Sequence, residues 1–376
     1  MDRKPCIYFV EGAKNGCNFY RIKQPANALI NMDSLMCCSS SMLKNIDEQT
    51  LWTDKADVIV SQCGTSEKYL DYVLSNRGKK KFILDYDDYI FGISPYNPSY
   101  KQNGTRNVEV ELADGTKQLM WENGRNGFDI NENQARMFIF TEMLKNVDLV
   151  TTPSSVLAGE FKRHGAKNVK VLKNYLDLNI WYPIKMEKDE YVRIGYQGGW
   201  SHYEDWYEIK EAMEVIMEKH KNVILILMGC PYDGLYNNLP KDRLVIEYWV
   251  DVEVYPWKWK TMNIDIGIAP LFNNLFSTCK SEIKWEEYSA LRIPSILQNI
   301  PPYNLNVIHG ETGYLASNKD EWIEYLDLLI TNKELRNKIG DQARAEIEEK
   351  YDLSKEITNY ESTYKFLFRP ELLAVI

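Results

Sequence analysis

Ile264-Asp265-Ile266-Gly267-Ile268-Ala269-Pro270-Leu271 leads through a loop to Cys279-Lys280-Ser281 and then to Lys284-Trp285-Glu286-Glu287-Tyr288-Ser289-Ala290-Leu291-Arg292-Ile293-Pro294. An apolar run of strand length passes into a stretch of helical character, so the spacing predicts a buried strand, a loop and a helix over Ser281–Leu291. Lys280 and Ser281 then stand at the helix N-terminus, with Lys284 and Glu287 at i, i+3 on one face. A helix N-terminus with two lysines beside it suits a diphosphate. A carboxylate one turn on can accept hydrogen bonds from two adjacent ribose hydroxyls. The same spacing also suits an i, i+3 salt bridge on a solvated helix, and spacing does not choose between the two.

Outward from this stretch the chain alternates strands and helices. Upstream, Val192–Tyr196, Val223–Met228 and Leu244–Trp249 read as strands, and Asp205–His220 as a helix with Trp206, Ile209, Met213 and Ile216 on one face. Downstream, Lys319–Ile330 and Asp352–Phe368 read as helices. The first half repeats the rhythm, with strands Ile7–Val10, Asp57–Ser61, Lys81–Asp85 and Asp148–Thr152 and helices Gln24–Ile30, Ser66–Ser75 and Asn133–Asn146. Such alternation predicts an α/β fold with parallel sheets. Two Rossmann-like domains are expected, at 1–180 and 181–352, facing a cleft, with 353–376 as a C-terminal helix that crosses back to the first. The rhythm breaks over about 94–132, where Val108–Leu112 and Lys117–Trp121 flank Ala113-Asp114-Gly115-Thr116. Asp-Gly between alternating runs predicts a β-hairpin, read as an insertion on the first domain.

With 26% charged and 44% hydrophobic residues among 376, the chain is neither a disordered tail nor a coiled coil. Its longest apolar stretch, Val223–Gly229, is far short of the roughly 20 residues of a membrane-spanning helix. The N-terminal Met1–Pro5 runs straight into a strand with no long apolar leader, so a cytoplasmic protein is expected. Seven cysteines (6, 17, 37, 38, 63, 230 and 279) show no metal-like spacing and read as thiols rather than a disulfide framework. Residues 1–180 hold 23 Lys+Arg against 22 Asp+Glu, and 181–376 hold 22 against 32, which gives no general footprint for nucleic acid.

The run from Asp265 to Pro294, with Ile300-Pro301-Pro302-Tyr303, His309-Gly310-Glu311-Thr312-Gly313-Tyr314-Leu315 and the segments on to Ala343-Arg344, resembles the donor-binding half of GT-B glycosyltransferases of family 4, the "glycosyl transferases group 1" type. That family carries two glutamates separated by seven residues. Glu287 matches the second, which the resemblance implies binds the nucleotide ribose; the first falls on Cys279. Tyr196-Gln197-Gly198-Gly199-Trp200-Ser201-His202 reads as a strand entering a Gly-Gly turn and a helix capped by Ser201. The Arg/Lys pair that many members place after this turn is missing, and Lys280 and Lys284 are expected to replace it. His202 is either a phosphate or sugar contact or an ordinary capping residue. Gly12–Arg21 resembles the family's N-terminal glycine-rich loop, which implies that Gly16 faces the donor and that Arg21 contacts phosphate or acceptor. Asp85, Asp87 and Asp88 form an acid-rich strand end that can orient an acceptor hydroxyl, bind a divalent ion or cap a turn. Trp249 stands where the family's nucleobase pocket lies.

The expected function is therefore sugar transfer, with retention, from a nucleotide-diphosphate sugar to an acceptor hydroxyl. Lys280, Lys284, Glu287 and Asp88 are the catalytic candidates. Gly16, Gly198, Gly199, His202, Trp249 and Ser281 join Glu287 at the donor, and Arg21, Asp85 and Asp87 join Asp88 on the acceptor side. No cofactor and no metal are expected. The acceptor is open between a glycan, a protein and a modified DNA base. Another GT-B enzyme, such as a nucleotide-sugar epimerase, and a non-catalytic nucleotide-sugar-binding protein are the alternatives.

Overall fold

Runs such as Ile-Tyr-Phe-Val and Val-Ile-Leu-Ile-Leu-Met are apolar on both faces, a pattern stable in a parallel sheet covered by helices on each side. The computed structural model describes residues 3–112, 114–229, 232 and 234–368. Ala113 of the expected hairpin turn, Cys230, and 369–376 of the expected C-terminal segment lie outside the described residues.

The first unit comprises Met1–Phe91, Lys101–Asp177 and Asp352–Ile376. Its strands are β1 (Cys6–Val10), β2 (Met36–Ser39), β3 (Val58–Ser61) and β4 (Lys81–Asp85), then the hairpin β5 (Val108–Glu111) and β6 (Lys117–Trp121), then β7 (Leu149–Thr152) and β8 (Val169–Val171). Six of them form a parallel sheet in the order β2-β1-β3-β4-β7-β8, and β5 pairs antiparallel with β6. Helix Leu353–Phe368 packs on this sheet, with the Tyr364 ring edge-on to Phe9 at 5.7 Å and the Tyr360 hydroxyl donating to the Lys173 carbonyl at 3.0 Å.

The second unit comprises Gly92–Tyr100 and Leu178–Tyr351. Its strands β9 (Val192–Gly198), β10 (Val223–Gly229), β11 (Leu244–Glu247), β12 (Ile266–Ala269), β13 (Ser295–Gln298) and β14 (Tyr314–Ala316) form one parallel sheet in the order β11-β10-β9-β12-β13-β14. The order reverses between β9 and β12, and in open α/β sheets ligands collect beyond the carboxyl ends of the strands at such a point. Trp206, Ile209, Met213 and Ile216 of helix Tyr203–Lys219 are wholly buried on this sheet, together with Trp322 and Leu326 of helix Lys319–Thr331.

The expected insertion at 94–132 is corrected at its start. Gly92–Tyr100 belongs to the second unit, where the Tyr96 ring stacks on Tyr203 at 5.8 Å and 14° and Asn97 is buried. Only the later part, with its hairpin, stays on the first unit. The expected elements also omitted β2, β13, β14 and helices Ile46–Lys55, Ser155–Arg163 and Lys333–Lys350. Among the described residues, no helix is long and apolar enough to cross a membrane and no cysteine is in a disulfide.

Candidate active site

The helix that carries Lys284 and Glu287 is Ile283–Ala290, two residues shorter at its start than expected. Ser281 therefore lies in the preceding loop, and Glu282 stands at the N-cap without a side-chain capping bond. Tyr288 sets the helix on the sheet, since its hydroxyl donates to the Ile268 carbonyl at 3.0 Å while its ring lies on Gly267. A Cβ at Gly267 would come within 2.7 Å of that ring, so glycine in β12 permits the close approach. Trp285 Nε1 donates to the Thr312 carbonyl at 2.9 Å and holds the other flank.

Glu287 is buried, and its Oε2 accepts from the Tyr255 hydroxyl at 2.8 Å and from the Gln197 side-chain amide. The Tyr255 hydroxyl also meets Gln197 Oε1. Three elements (β9, helix Tyr255–Thr261 and helix Ile283–Ala290) thus fix one carboxylate. Trp249, about half exposed, stacks on Tyr255 at 5.6 Å and 30°, an aromatic face next to the carboxylate.

Lys284 is buried, and its ammonium has no hydrogen-bond acceptor among the described residues, with the Tyr196 ring centroid 5.2 Å away. Burial, reinforced by the charge of Lys280, pushes its pKa down to about 8 against the pull of Asp205 and Glu287. The Lys280 ammonium lies 4.4 Å over the Phe276 ring. In the turn after β9, His202 Nδ1 is 2.5 Å from Asp205 Oδ2. Asp205 Oδ1 accepts the Phe272 N–H at 2.7 Å, which ties the first turn of helix Tyr203–Lys219 to the loop after β12. Burial first, then the charge of Lys284, pushes His202 down to about 4, so it is neutral at pH 7 and carries no charge toward an anion.

The turn after β9 also differs from expectation. Trp200–His202 is a short 3₁₀ turn, helix Tyr203–Lys219 follows, and Ser201 is not its cap. The Gly199 carbonyl accepts from the Tyr232 hydroxyl at 2.7 Å. A Cβ at Gly199 would meet nothing within 4 Å, whereas one at Gly198 would meet the Tyr196 and Tyr232 hydroxyls at 2.7 and 2.9 Å. Gly198 is therefore required for packing, and Gly199 faces open space. Cys279, where the family's first glutamate falls, is wholly buried at the end of helix Leu275–Thr278.

Two first-unit assignments are corrected. Arg21 is not an acceptor or phosphate contact: it is wholly buried, with Nε and Nη2 donating to the two Asp85 oxygens at 3.0 and 2.7 Å and Nη1 to Asn174 Oδ1 at 3.1 Å and the Leu172 carbonyl. Asp85 is equally buried and accepts the Thr151 hydroxyl at 2.7 Å as well, so neither is available to a substrate. The pair joins β4 to the chain after β8. Asp87 and Asp88 are half-buried, with Cys17 close enough that one ligand atom of each lies within 4.8 Å of the others. Burial and the charge of Asp88 push Asp87 up to about 6. Gly16 opens the short helix Gly16–Asn18, capped by Asn15, and a Cβ there would meet nothing within 4 Å.

Gln197, Asp205 and Tyr255 were not expected in the site. A glutamine inside an otherwise apolar buried strand was the signal for the first, because a polar side chain at such a position needs a partner.

No family model matches the chain. It is 25% identical over 178 residues to the capsular polysaccharide biosynthesis glycosyltransferase CapM of Staphylococcus aureus, a match that spans 44% of each chain. Among solved structures, HepE of Anabaena in complex with UDP-glucose matches with a TM-score of 0.62 at 10% identity over 96% of this chain and 99% of that one. Sucrose-phosphate synthase from Thermosynechococcus elongatus matches with a TM-score of 0.61 at 14% identity, over 97% and 99%. The fold is that of the GT-B glycosyltransferases. In the second GT-B sheet, the group of Gly199, His202, Lys284 and Glu287 lies beyond the carboxyl ends of β9 and β12, at the reversal of strand order.

Proposed function

We propose that the protein is a glycosyltransferase of the family 4 type, moving a sugar from a nucleotide-diphosphate sugar to an acceptor hydroxyl with retention. The observation that carries the reading is the buried Lys284 ammonium, without an acceptor among the described residues, one turn from a Glu287 carboxylate fixed by Gln197 and Tyr255. A diphosphate supplies the missing counter-charge, adjacent ribose hydroxyls donate to Glu287, and the base lies along Trp249. HepE with its bound UDP-glucose supports a uridine nucleotide as the first donor to try.

In this reading Lys280, Lys284 and the N–H groups at the start of helix Ile283–Ala290 stabilise the departing diphosphate as the sugar gains oxocarbenium character. Neutral His202 donates its Nδ1–H to Asp205 and so presents Nε2 as an acceptor for a sugar hydroxyl. The acceptor hydroxyl enters on the face the diphosphate leaves.

Radiolabelled UDP-sugars incubated with cell extract test this directly. Label moved onto a larger acceptor is the expected result; an altered free sugar nucleotide would mean an epimerase, and binding without turnover a non-catalytic protein. In calorimetry, Glu287→Ala should weaken UDP binding by about 1.5–3 kcal/mol, the range for hydrogen bonds to a charged group. Unchanged affinity in the folded variant removes Glu287 from the ribose. Since two lysines and a helix terminus offset the diphosphate charge, transfer should survive EDTA. Complete loss, restored by Mg²⁺ or Mn²⁺, would make Asp87 and Asp88 metal ligands instead. Finally, replacing 106–120 by a short Gly-Ser link should abolish transfer while sparing UDP affinity, if the hairpin shapes the acceptor side. Equal loss of both would make the hairpin structural.

A further inference from the structure

At the other end of the second sheet, before the first residues of β12 and β13, lies a cavity of about 410 Å³. Its walls come from segment 183–188, the end of helix Tyr255–Thr261, the chain entering the two strands, and the start of helix Lys333–Lys350. The volume falls within the range of small-molecule sites, roughly 300–1,000 Å³.

The lining is basic within an acidic half of the chain: Lys185, Lys188, Lys260, Arg292 and Arg336 against Asp265 alone. That acid is already engaged, with Oδ1 3.0 Å from Lys188 Nζ and Oδ2 accepting the Arg193 N–H at 2.8 Å. Arg292 pairs with Asp341 at 3.3 Å, an exposed pair of little strength. Arg336 uses Nη1 on the carbonyls of Leu329 and Ile330 at 2.6 and 2.9 Å, which are uncharged.

Three lining residues also hold buried polar atoms with no hydrogen-bond partner among the described residues: Lys260 Nζ, Trp259 Nε1 and Asn263 Oδ1. Lys260 is 5% exposed, and its ammonium faces the rings of Tyr182 at 3.5 Å and Trp257 at 4.1 Å rather than an anion. Ring faces offset only part of the cost of burying a charge. Asn263 is held in a left-handed conformation, φ 54°, and its amide N–H donates to the Glu187 carbonyl at 2.9 Å, so that Oδ1 is left as an acceptor. An anion answers the cations and Trp259; only a donor such as a hydroxyl answers Asn263.

We infer that this cavity is a second ligand site, separate from the proposed nucleotide site, for a small phosphorylated polyol. The phosphate stands against Lys260, Lys185 and Arg336, and a hydroxyl of the same molecule donates to Asn263.

Calorimetry on the full chain with ribose 5-phosphate, inorganic phosphate and ribose separates the two halves of this recognition. Ribose 5-phosphate should bind at one site, inorganic phosphate at least about tenfold more weakly, and ribose not measurably. Lys260→Met should weaken ribose 5-phosphate binding about tenfold. Lys185→Glu, at an exposed rim position that leaves the core untouched, should weaken it several-fold, which decides the matter even if Lys260→Met does not fold. Lys284→Met should leave it unchanged. No binding at millimolar ribose 5-phosphate overturns the inference. So does binding lost in Lys284→Met but kept in Lys185→Glu, which would put the phosphate in the nucleotide site.

Discussion

Lys284→Met is expected to make the protein more stable and to remove its affinity for a nucleoside diphosphate. In the unliganded protein the ammonium is buried, lacks an acceptor among the described residues and has a pKa pushed down to about 8. A lysine whose folded pKa lies below its unfolded value opposes folding. Methionine fills nearly the same volume without the charge, so a gain of roughly 1–3 kcal/mol follows. Below about pH 8 both folded and unfolded chains hold the proton and the penalty is at its full size. Between pH 8 and the ordinary lysine value the folded chain releases the proton first, the stability of the unsubstituted protein rises with pH, and the advantage of methionine shrinks. Binding has the opposite dependence: a diphosphate favours the protonated lysine, so UDP affinity should be flat below pH 8 and fall above it. Titrations in buffers of different ionisation enthalpy should show proton uptake near pH 8, absent in Lys284→Met. Chemical denaturation and UDP calorimetry across pH 6–10 check both halves. A variant that is less stable and still binds UDP would place Lys284 in a structural role.

Arg21→Met should act on the fold and not on a substrate. It leaves Asp85 as a wholly buried carboxylate supported by the Thr151 hydroxyl, and breaking a buried ion pair from one side costs about 3–5 kcal/mol. Arg21→Met with Asp85→Asn removes both charges and should recover much of that loss, since uncharged pairs in such positions are often tolerated. Urea denaturation of the two single variants and the double variant measures the coupling. Full stability in Arg21→Met would mean that the pair does not hold the first unit together, and that Arg21 is available to a ligand after all.

The alternation of elements is legible along the chain because each central strand is apolar on both faces and each covering helix has one apolar stripe. β10 reads as Val-Ile-Leu-Ile-Leu-Met, and helix Tyr203–Lys219 shows Trp206, Ile209, Met213 and Ile216 at helical spacing. The hairpin is legible for a local reason too, an Asp-Gly turn between alternating runs, with Gly115 at φ 79°. The missed elements lack such local signals. β2 is Met-Cys-Cys-Ser, without a β-branched residue, and helix Lys333–Lys350 buries only Ile339, Gly340, Ala343, Arg344 and Ile347 of its 18 residues.

The candidate site divides along the same line. Glu287, Lys284 and the Gly-Gly turn stand out as types and spacings suited to a nucleotide, before any fold is known. Which of their neighbours complete the site is a matter of strand order. Gln197 and Tyr255 lie 90 and 32 residues from Glu287 in the chain, and the placement of β9 beside β12 brings all three to one carboxylate. Arg21 and Asp85 show the converse. Each looks suited to a substrate where it stands in the chain, and 64 residues separate them, yet their pairing across the first sheet satisfies both inside the core. Local sequence carries periodicity and turn chemistry because those depend on neighbours a few residues away. Whether a charge is buried and paired or left facing a ligand depends on groups that only the tertiary fold brings within hydrogen-bonding distance.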